Sequence, residues 1–467
     1  WVTSLDVLNR FARDAAALLA EDVDREARGL APRFAVREAV NLTPWNSGEW
    51  REIDDAYSAW TLRVTSRGVE NLNFGFTRYE LPAFASLHIA ATDGSKEIRP
   101  FTDADNNRHD ELWTPVLPTD DVTIELIVPT ELAKKVDLQL GYVNVGYRPF
   151  GAPLAAANRS GSCNVDVVCP EGDDWQDEID SVGVISTGGA TFCTGFMVNN
   201  VRQDRRPLFM TAFHCGVRSS DAPSLVVYWN FQNSTCRPPG SSSSGGAGDG
   251  TLDQFSTGST LLADGSASDF TLVELNSSPD ESYEVSFSGW DARFYEPSGA
   301  VAIHHPSTDE KRISFEFDQT ASVVGLTSSP EVPVDQSTHV KVRDWDVGTT
   351  EPGSSGSPLY DIDTKRVVGQ LHGGAASCSS QTYDAYGRIA YSWDNGSPSN
   401  SLRPHLDPDD TGTVFVDTLP AAGAVLTPAG DFASFGVVGG PFSEDSVTYT
   451  LENTSPDAID YEVEFVA

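Results

Sequence analysis

Glu351-Pro-Gly-Ser-Ser-Gly-Ser-Pro-Leu-Tyr360 is a small-residue turn centred on Ser355 and followed by hydrophobic strand residues. A serine hydroxyl that attacks a carbonyl needs a tight, exposed turn of this kind. It also needs two backbone N–H groups aimed at the carbonyl oxygen. Gly353 and Gly356, two before and one after the serine, give the backbone that freedom. Gly/Ser turns are common loop punctuation, so the stretch decides the fold only if the chain also supplies a base and a residue to orient it.

Of eight histidines, His214 alone has a special setting: in Leu208-Phe-Met-Thr-Ala-Phe-His-Cys215 an apolar strand delivers it beside a cysteine. Cys193, in Phe192-Cys-Thr-Gly195, is the natural partner of Cys215 across a hairpin. A disulfide closing that loop contributes about 3 kcal/mol on loop-entropy arguments and stiffens the base. The third part is Ser268-Asp-Phe-Thr-Leu-Val-Glu-Leu275, where Asp269 enters an apolar strand. A buried carboxylate without a partner is costly. A histidine N–H answers it, and the carboxylate then fixes the imidazole tautomer and stabilises the imidazolium formed during attack. His88, His109, His339 and His405 read as ordinary surface or core histidines. His304 and His305 point to opposite faces of a strand and read as structural. No metal or cofactor is expected.

At 467 residues, two or three domains are expected. A net charge of -37 argues against a nucleic-acid partner; it reads first as a solvated acidic surface and also suits a salty setting or cationic substrates. No apolar run approaches the roughly 20 residues of a membrane span. No leader precedes Trp1, which fits either a signal already removed on export or a sequence that is a piece of a longer chain. Six cysteines lie only between 163 and 378 and lack CxxC spacing, which favours three disulfides and an oxidising, secreted setting. Ser4 reads as the N-cap of a helix carrying Leu8, Phe11, Ala15 and Leu18 and stopped by Gly29. From Trp60 the period becomes two, through Leu72–Phe76, Val122–Val128 and Leu138–Tyr142, which predicts an antiparallel β-sandwich over about 50–150. Residues 152–162 read as a linker, and the many short strands of 163–418 as a β-barrel or sandwich. The Gly240–Gly248 run reads as a flexible surface loop. Phe432–Phe435, Val447–Leu451 and Tyr461–Phe465 read as strands of a short tail.

The chain order His214, Asp269, Ser355 is that of chymotrypsin-fold peptidases. Residues 160 to about 418 resemble the lysyl endopeptidases, secreted bacterial members of that class. The match runs through Ser162-Cys-Asn-Val-Asp-Val-Val-Cys-Pro-Glu-Gly172, Thr211-Ala-Phe-His-Cys-Gly216 and Val227-Tyr-Trp-Asn-Phe-Gln-Asn-Ser-Thr-Cys236. It continues in Ala302-Ile-His-His-Pro306, Glu310-Lys-Arg-Ile-Ser314 and Gly369-Gln-Leu-His-Gly-Gly374. The resemblance implies a mainly β, chymotrypsin-like catalytic domain of two six-stranded barrels with the site between them. It further implies the pairings Cys163–Cys378, Cys169–Cys236 and Cys193–Cys215. His214 would then be general base and acid, Asp269 its orienter and Ser355 the nucleophile, with the N–H groups of Gly353 and Ser355 as the oxyanion hole.

Trypsin's acidic specificity residue lies six positions before its nucleophile, where this chain has Thr349. The resemblance instead assigns substrate binding to Asp384, in Thr382-Tyr-Asp-Ala-Tyr-Gly-Arg388, with His372 and Gly373 on the pocket wall. A carboxylate there selects a basic side chain. The family's tryptophan that stacks on this histidine is missing, since the matching stretch reads Ser322-Val-Val-Gly-Leu326, and arginine stays open beside lysine. The alternatives are a glutamyl-type endopeptidase using His372 and a catalytically silent adhesin or binding module. The expected domains are 1–157, a helix plus β-sandwich resembling a pro-region; 158–420, the peptidase; and 421–467, a short immunoglobulin-like β extension. The first is expected to act as intramolecular chaperone or inhibitor, removed by cleavage between Arg159 and Ser160. Ser354 precedes the nucleophile, where related zymogens hold an aspartate for a new N-terminus, so the turn is expected to form without that latch.

Overall fold

The computed structural model describes residues 30–150, 160–326 and 330–421, with short pieces (4–5, 15–26, 28, 424–427, 448 and 450–453) at either end. Strand Asp121–Pro129 shows why the first region folds as it does: Val122, Ile124, Leu126 and Val128 are buried while their neighbours are partly exposed. It pairs with Tyr57–Thr65 and Ser86–Ala91 in one sheet. A second sheet runs Ala35–Leu42, Asp137–Gly146, Asn71–Glu80 and Leu112–Trp113. The sandwich thus begins at Ala35, earlier than its clearest alternation suggests.

The helix covers Ala15–Glu26 and buries Leu18. Its Asp22 is fully buried and holds Arg33 Nε at 2.8 Å and the Tyr147 hydroxyl at 2.5 Å. Ser4 is not its N-cap. It sits in a two-residue strand, Ser4–Leu5, beside Arg63 and Val64, because the sheet edge there offers backbone partners. Leu8, Phe11 and Gly29 lie outside the described residues.

From 160 the chain forms two sheets, antiparallel except where Trp290 runs parallel beside Val367. The first orders Phe255–Thr257, Val226–Tyr228, Val182–Thr187, Thr191–Met197, Leu208–Ala212, Phe270–Leu275 and Ser259–Gly265. The second carries Arg312–Glu316, Ala300–His304, Pro358–Asp361, Val367–Gly374, Asp384–Arg388, His339–Val342 and Ala321–Val323 in that order. This is the chymotrypsin-like double β-barrel. The sheets number seven and ten strands where six each are expected. In the second, Val165–Asp166 adds at one edge, and Trp290–Asp291 and Phe415–Val416 pair beside Val367. Disulfides join Cys163–Cys378, Cys169–Cys236 and Cys193–Cys215.

The Gly240–Gly248 loop is pinned. Arg237 Nη1 donates to Gly246 O, Arg312 Nη2 to Ser244 O, and the buried Ser244 hydroxyl to Asn164 O. Buried cations need acceptors, and this glycine- and serine-rich backbone supplies them. Beyond 421, Ala424–Thr427 pairs with Thr450–Asn453. Phe432–Phe435 and Tyr461–Phe465 lie outside the described residues.

The sandwich and the first barrel share one apolar cluster. Phe150 stacks on Phe34 at 4.7 Å and meets Phe192 and Tyr228 at 6.3 and 5.3 Å. No helix among the described residues is long and apolar enough to cross a membrane.

Candidate active site

Strand Leu208–Ala212, buried throughout, ends in one 3-10 turn, Phe213–Cys215, closed by Gly216 in the left-handed region. That turn presents His214, and the Cys193–Cys215 bridge ties it to the neighbouring strand. Asp269 sits at the start of the next strand of the sheet, 2% exposed, with a positive φ of 56°. Such a conformation costs a non-glycine residue of order 1–3 kcal/mol and persists only where its surroundings hold it. Here they do. Asp269 O accepts Phe213 N–H at 2.8 Å, Oδ1 accepts His214 N–H at 3.0 Å, and Oδ2 lies 2.8 Å from His214 Nδ1. The carboxylate therefore grips both backbone and ring of the histidine.

Ser355 comes from the second barrel. Gly353 has φ +100°, and a Cβ there would strike the Phe192 ring at 2.3 Å. Thr194 of the first barrel clamps the turn, its N–H to Ser355 O and its hydroxyl to Gly353 O, both at 2.9 Å. Gly356 N–H donates to Leu371 O and Leu371 N–H to Ser357 O, both at 2.8 Å. Thr194 escapes sequence reasoning because nothing in Phe192-Cys-Thr-Gly195 announces a contact across the barrels.

Ser355, His214, Gly353, His372, Gly373 and Asp384 line one cavity of about 180 Å³. Asp384 is 1% exposed. Its Oδ2 accepts Trp345 Nε1–H and the Thr350 hydroxyl, each at 2.7 Å. Burial pushes its carboxyl up, against the pull of those donors. Oδ1 lies so close to Gly374 that a Cβ there would meet it at 2.0 Å. Trp345 and Thr350 are further residues that sequence reasoning misses, for they are remote from Asp384 along the chain.

His372 stacks on His214 with ring centroids 5.7 Å apart, and its Nε2 lies 3.9 Å from Asp269 Oδ2. Burial lowers its pKa, so it is held neutral. Its Nδ1 meets Nε2 of His339 at 2.9 Å. His214, Asp269 and His372 bring ligand atoms within 4.8 Å of one another, with His214 Nδ1 and Asp269 Oδ2 already paired and His372 Nδ1 engaged with His339. Cys193 and Cys215, near His214, are spent on their disulfide. His304 and His305 are fully buried, His304 between the Ser354 and Ser314 hydroxyls.

Arg159 lies outside the described residues, and Ser160 is 2% exposed. Ser354 takes no ionic partner; its Oγ accepts Glu351 N–H and meets His304 Nδ1. Carboxylates stand instead at the start of the second region. The Ser160 hydroxyl donates to Asp309 Oδ2, and Gly161 N–H to Glu351 Oε2 at 2.9 Å.

One segment of the first region enters the site. Phe192 N–H donates to Pro32 O at 3.1 Å and Phe34 N–H to Ala190 O at 2.9 Å, with Arg33 bridging Thr191 antiparallel. Leu30 and Pro32 line the same cavity as Ser355. Elsewhere Asn73 Nδ2 and Arg37 Nε donate to Gly189 O and Gly188 O, each at 3.0 Å.

Residues 157–387 match the family described as lysyl endopeptidase, C-terminal domain. The chain is 28% identical over 362 residues to a lysyl endopeptidase of Pseudomonas aeruginosa, covering 72% of each. A solved protease of M. tuberculosis in its active form aligns at 17% identity and TM-score 0.30, over 51% of this chain and 89% of that one. A solved Glu endopeptidase aligns at 15% and TM-score 0.29, over 51% and 90%. Over residues 157–387 the chain is similar to the lysyl endopeptidases, and it is a serine endopeptidase of the chymotrypsin-like fold.

Proposed function

We propose that the protein cleaves peptide bonds on the carboxyl side of basic residues, lysine first with arginine left open, through a Ser355–His214–Asp269 triad and an acyl-enzyme. His214 takes the Ser355 proton and returns it to the leaving amine, while Asp269 holds the tautomer. The N–H groups of Gly353 and Ser355 hold the oxyanion. The observation that carries the specificity is Asp384, a buried carboxylate with only neutral donors, opening on the cavity that holds Ser355. Taking a charge out of water is costly unless a counter-charge meets it, and a substrate ammonium or guanidinium is the counter-charge that fits. A glutamate side chain would face that carboxylate, and the neutral His372 offers no compensating cation.

The test is digestion of a mixed proteome with mass-spectrometric mapping of the cut sites. Cleavage after Lys is expected, with Arg left open. Cleavage mainly after Glu, or after large apolar residues, removes the role given to Asp384. Failure of a serine-directed phosphonate to label Ser355 removes the enzyme reading itself, in favour of a silent binding module.

Residues 1–157 are read as an inhibitory and folding domain, 158–420 as the peptidase and 421–467 as an appended β extension. Supporting the inhibitory role, the Leu30–Phe34 segment adds antiparallel to the barrel edge at Ala190–Phe192 and reaches the cavity. Leu30 there is apolar and offers Asp384 no cation. Release would follow cleavage between Arg159 and Ser160, and N-terminal sequencing of active protein checks it: a fully active chain starting at Trp1 refutes removal. The three disulfides support an extracellular setting.

A further inference from the structure

We propose that His339 is a positioning residue for the His214–Asp269 pair, fixing the tautomer of His372 so that its Nε2–H faces the Asp269 carboxylate. The argument is a count of protons along one buried line. Gly325 N–H donates to Thr338 Oγ1 at 2.8 Å, so the Thr338 oxygen already accepts one bond. Its own proton has a single acceptor among the described residues, Nδ1 of His339 at 2.7 Å. A neutral imidazole carries one proton, so His339 carries it on Nε2 and donates to His372 Nδ1 at 2.9 Å. His372 must then hold its proton on Nε2, the atom 3.9 Å from Asp269 Oδ2. Burial keeps both rings neutral, with His339 lowered to about 3. The charged and titratable groups around the line are Asp269 and His214 in front, Arg388 near His339, and Arg218 near Asp269.

This assignment matters because, among the described residues, both hydrogen-bond donors to the Asp269 carboxylate come from His214 itself. An N–H dipole from His372 stabilises the carboxylate independently of the base and so tempers the attraction it exerts on the imidazolium. The opposite tautomer would aim a lone pair at the carboxylate and raise the apparent pKa of the base. His339 thus acts through His372 and touches no substrate.

The test compares His339→Leu, His339→Gln and Thr338→Val with the unaltered full chain, using a neutral ester so that ionisation of Asp384 does not enter. Loss of the donor in His339→Leu should move the acid limb of kcat/KM upward by roughly half a unit to one unit. It should also lower kcat several-fold. ¹⁵N NMR of histidine-labelled protein should show His372 protonated at Nε2 in the unaltered chain and as a tautomer mixture in the variant. Gln, which keeps an N–H donor, should restore both readouts. Thr338→Val should move them in the same direction by less, and keeps the test alive if His339→Leu does not fold. An unchanged acid limb and an unchanged His372 tautomer overturn the proposal, whatever happens to kcat, and leave His339 a packing residue. The inference rests on the triad reading, and phosphonate labelling of Ser355 in each variant separates failure of that reading from failure of this one.

Discussion

Each barrel brings one buried aspartate to the cleft, and the two are served in opposite ways. Asp269, from the first barrel, is gripped by the backbone and ring of His214, the group that becomes cationic in the proposed mechanism. Asp384, from the second, meets only neutral donors among the described residues, Trp345, Thr350 and the Ala376 backbone, and on the proposed reading its charge is answered by the substrate. On the proposed reading, the carboxylate completed internally serves the chemistry and the one left incomplete serves selection. The same side chain takes either role according to what the neighbouring strands bring to it.

The comparison breaks most sharply at Asp269. Asp269→Asn should lower kcat about 10⁴-fold for basic and neutral substrates alike, because the wrong imidazole tautomer is then held. A loss confined to basic substrates in stopped-assay kinetics would reverse the roles of the two aspartates. Asp384→Asn should instead lower kcat/KM for a lysyl substrate by roughly 10²–10³-fold, the effect of leaving one partner of a buried pair alone. Turnover of a neutral ester should barely change, and an equal loss on both would sink the distinction.

A third difference concerns access. If Leu30–Phe34 covers the site, Leu30→Asp should speed ester hydrolysis several-fold in a chain made uncleavable by Arg159→Gln, since a charge at the cavity is expelled to water. Unchanged rates would mean the segment does not limit entry. The pH response should also divide the two carboxylates. Burial raises the Asp384 carboxyl, so it protonates at a higher pH than a free aspartate. KM for lysyl substrates should therefore rise as pH falls, while KM for a neutral ester stays flat.

The smallest expected effect is on stability. His304 and His339 are held neutral by burial, each lowered to about 3 from an ordinary 6.5. As pH falls below 6.5 the unfolded chain takes up their protons and the folded chain does not. Stability from this source is complete above 6.5 and is lost toward 3. His305 adds to this side, lowered by burial as well. Asp180, Glu310 and Glu316 work the other way: burial raises them to about 6, 7 and 7, so their contribution is present at low pH and disappears as pH rises through those values. With three groups on each side, thermal melts should show Tm moving by no more than a few degrees between pH 6.5 and 5. A large fall would mean the histidines dominate, and a large rise the buried acids.

Much of the fold is legible in local sequence. The alternation at Val122–Val128 predicts a half-buried strand, and that strand forms. The helix start is missed because the pairing of Ser4 with a distant sheet edge leaves no mark in its neighbours. The three triad candidates are legible because each sits where a strand meets a turn, a pattern visible within ten residues. The structure brings His214 and Ser355 to one cavity and seats Asp269 against His214. Asp384 is named only through resemblance, since an aspartate in Thr382–Arg388 looks by itself like a surface carboxylate. His339 is read as ordinary and Thr194 passes unnoticed, for their partners lie across a sheet or across the two barrels.

What the amino-acid sequence determined alone is the kind of chemistry: a serine in a glycine turn, a histidine delivered by an apolar strand, an aspartate entering another. These depend on residue type and short-range backbone geometry, which neighbours in the chain dictate. Only the tertiary structure decided which carboxylate is completed internally and which is left open, what clamps the Ser355 turn, and which segment reaches the cavity. Burial and hydrogen-bond supply are set by residues tens to hundreds of positions away, and those distances close only when the sheets pack.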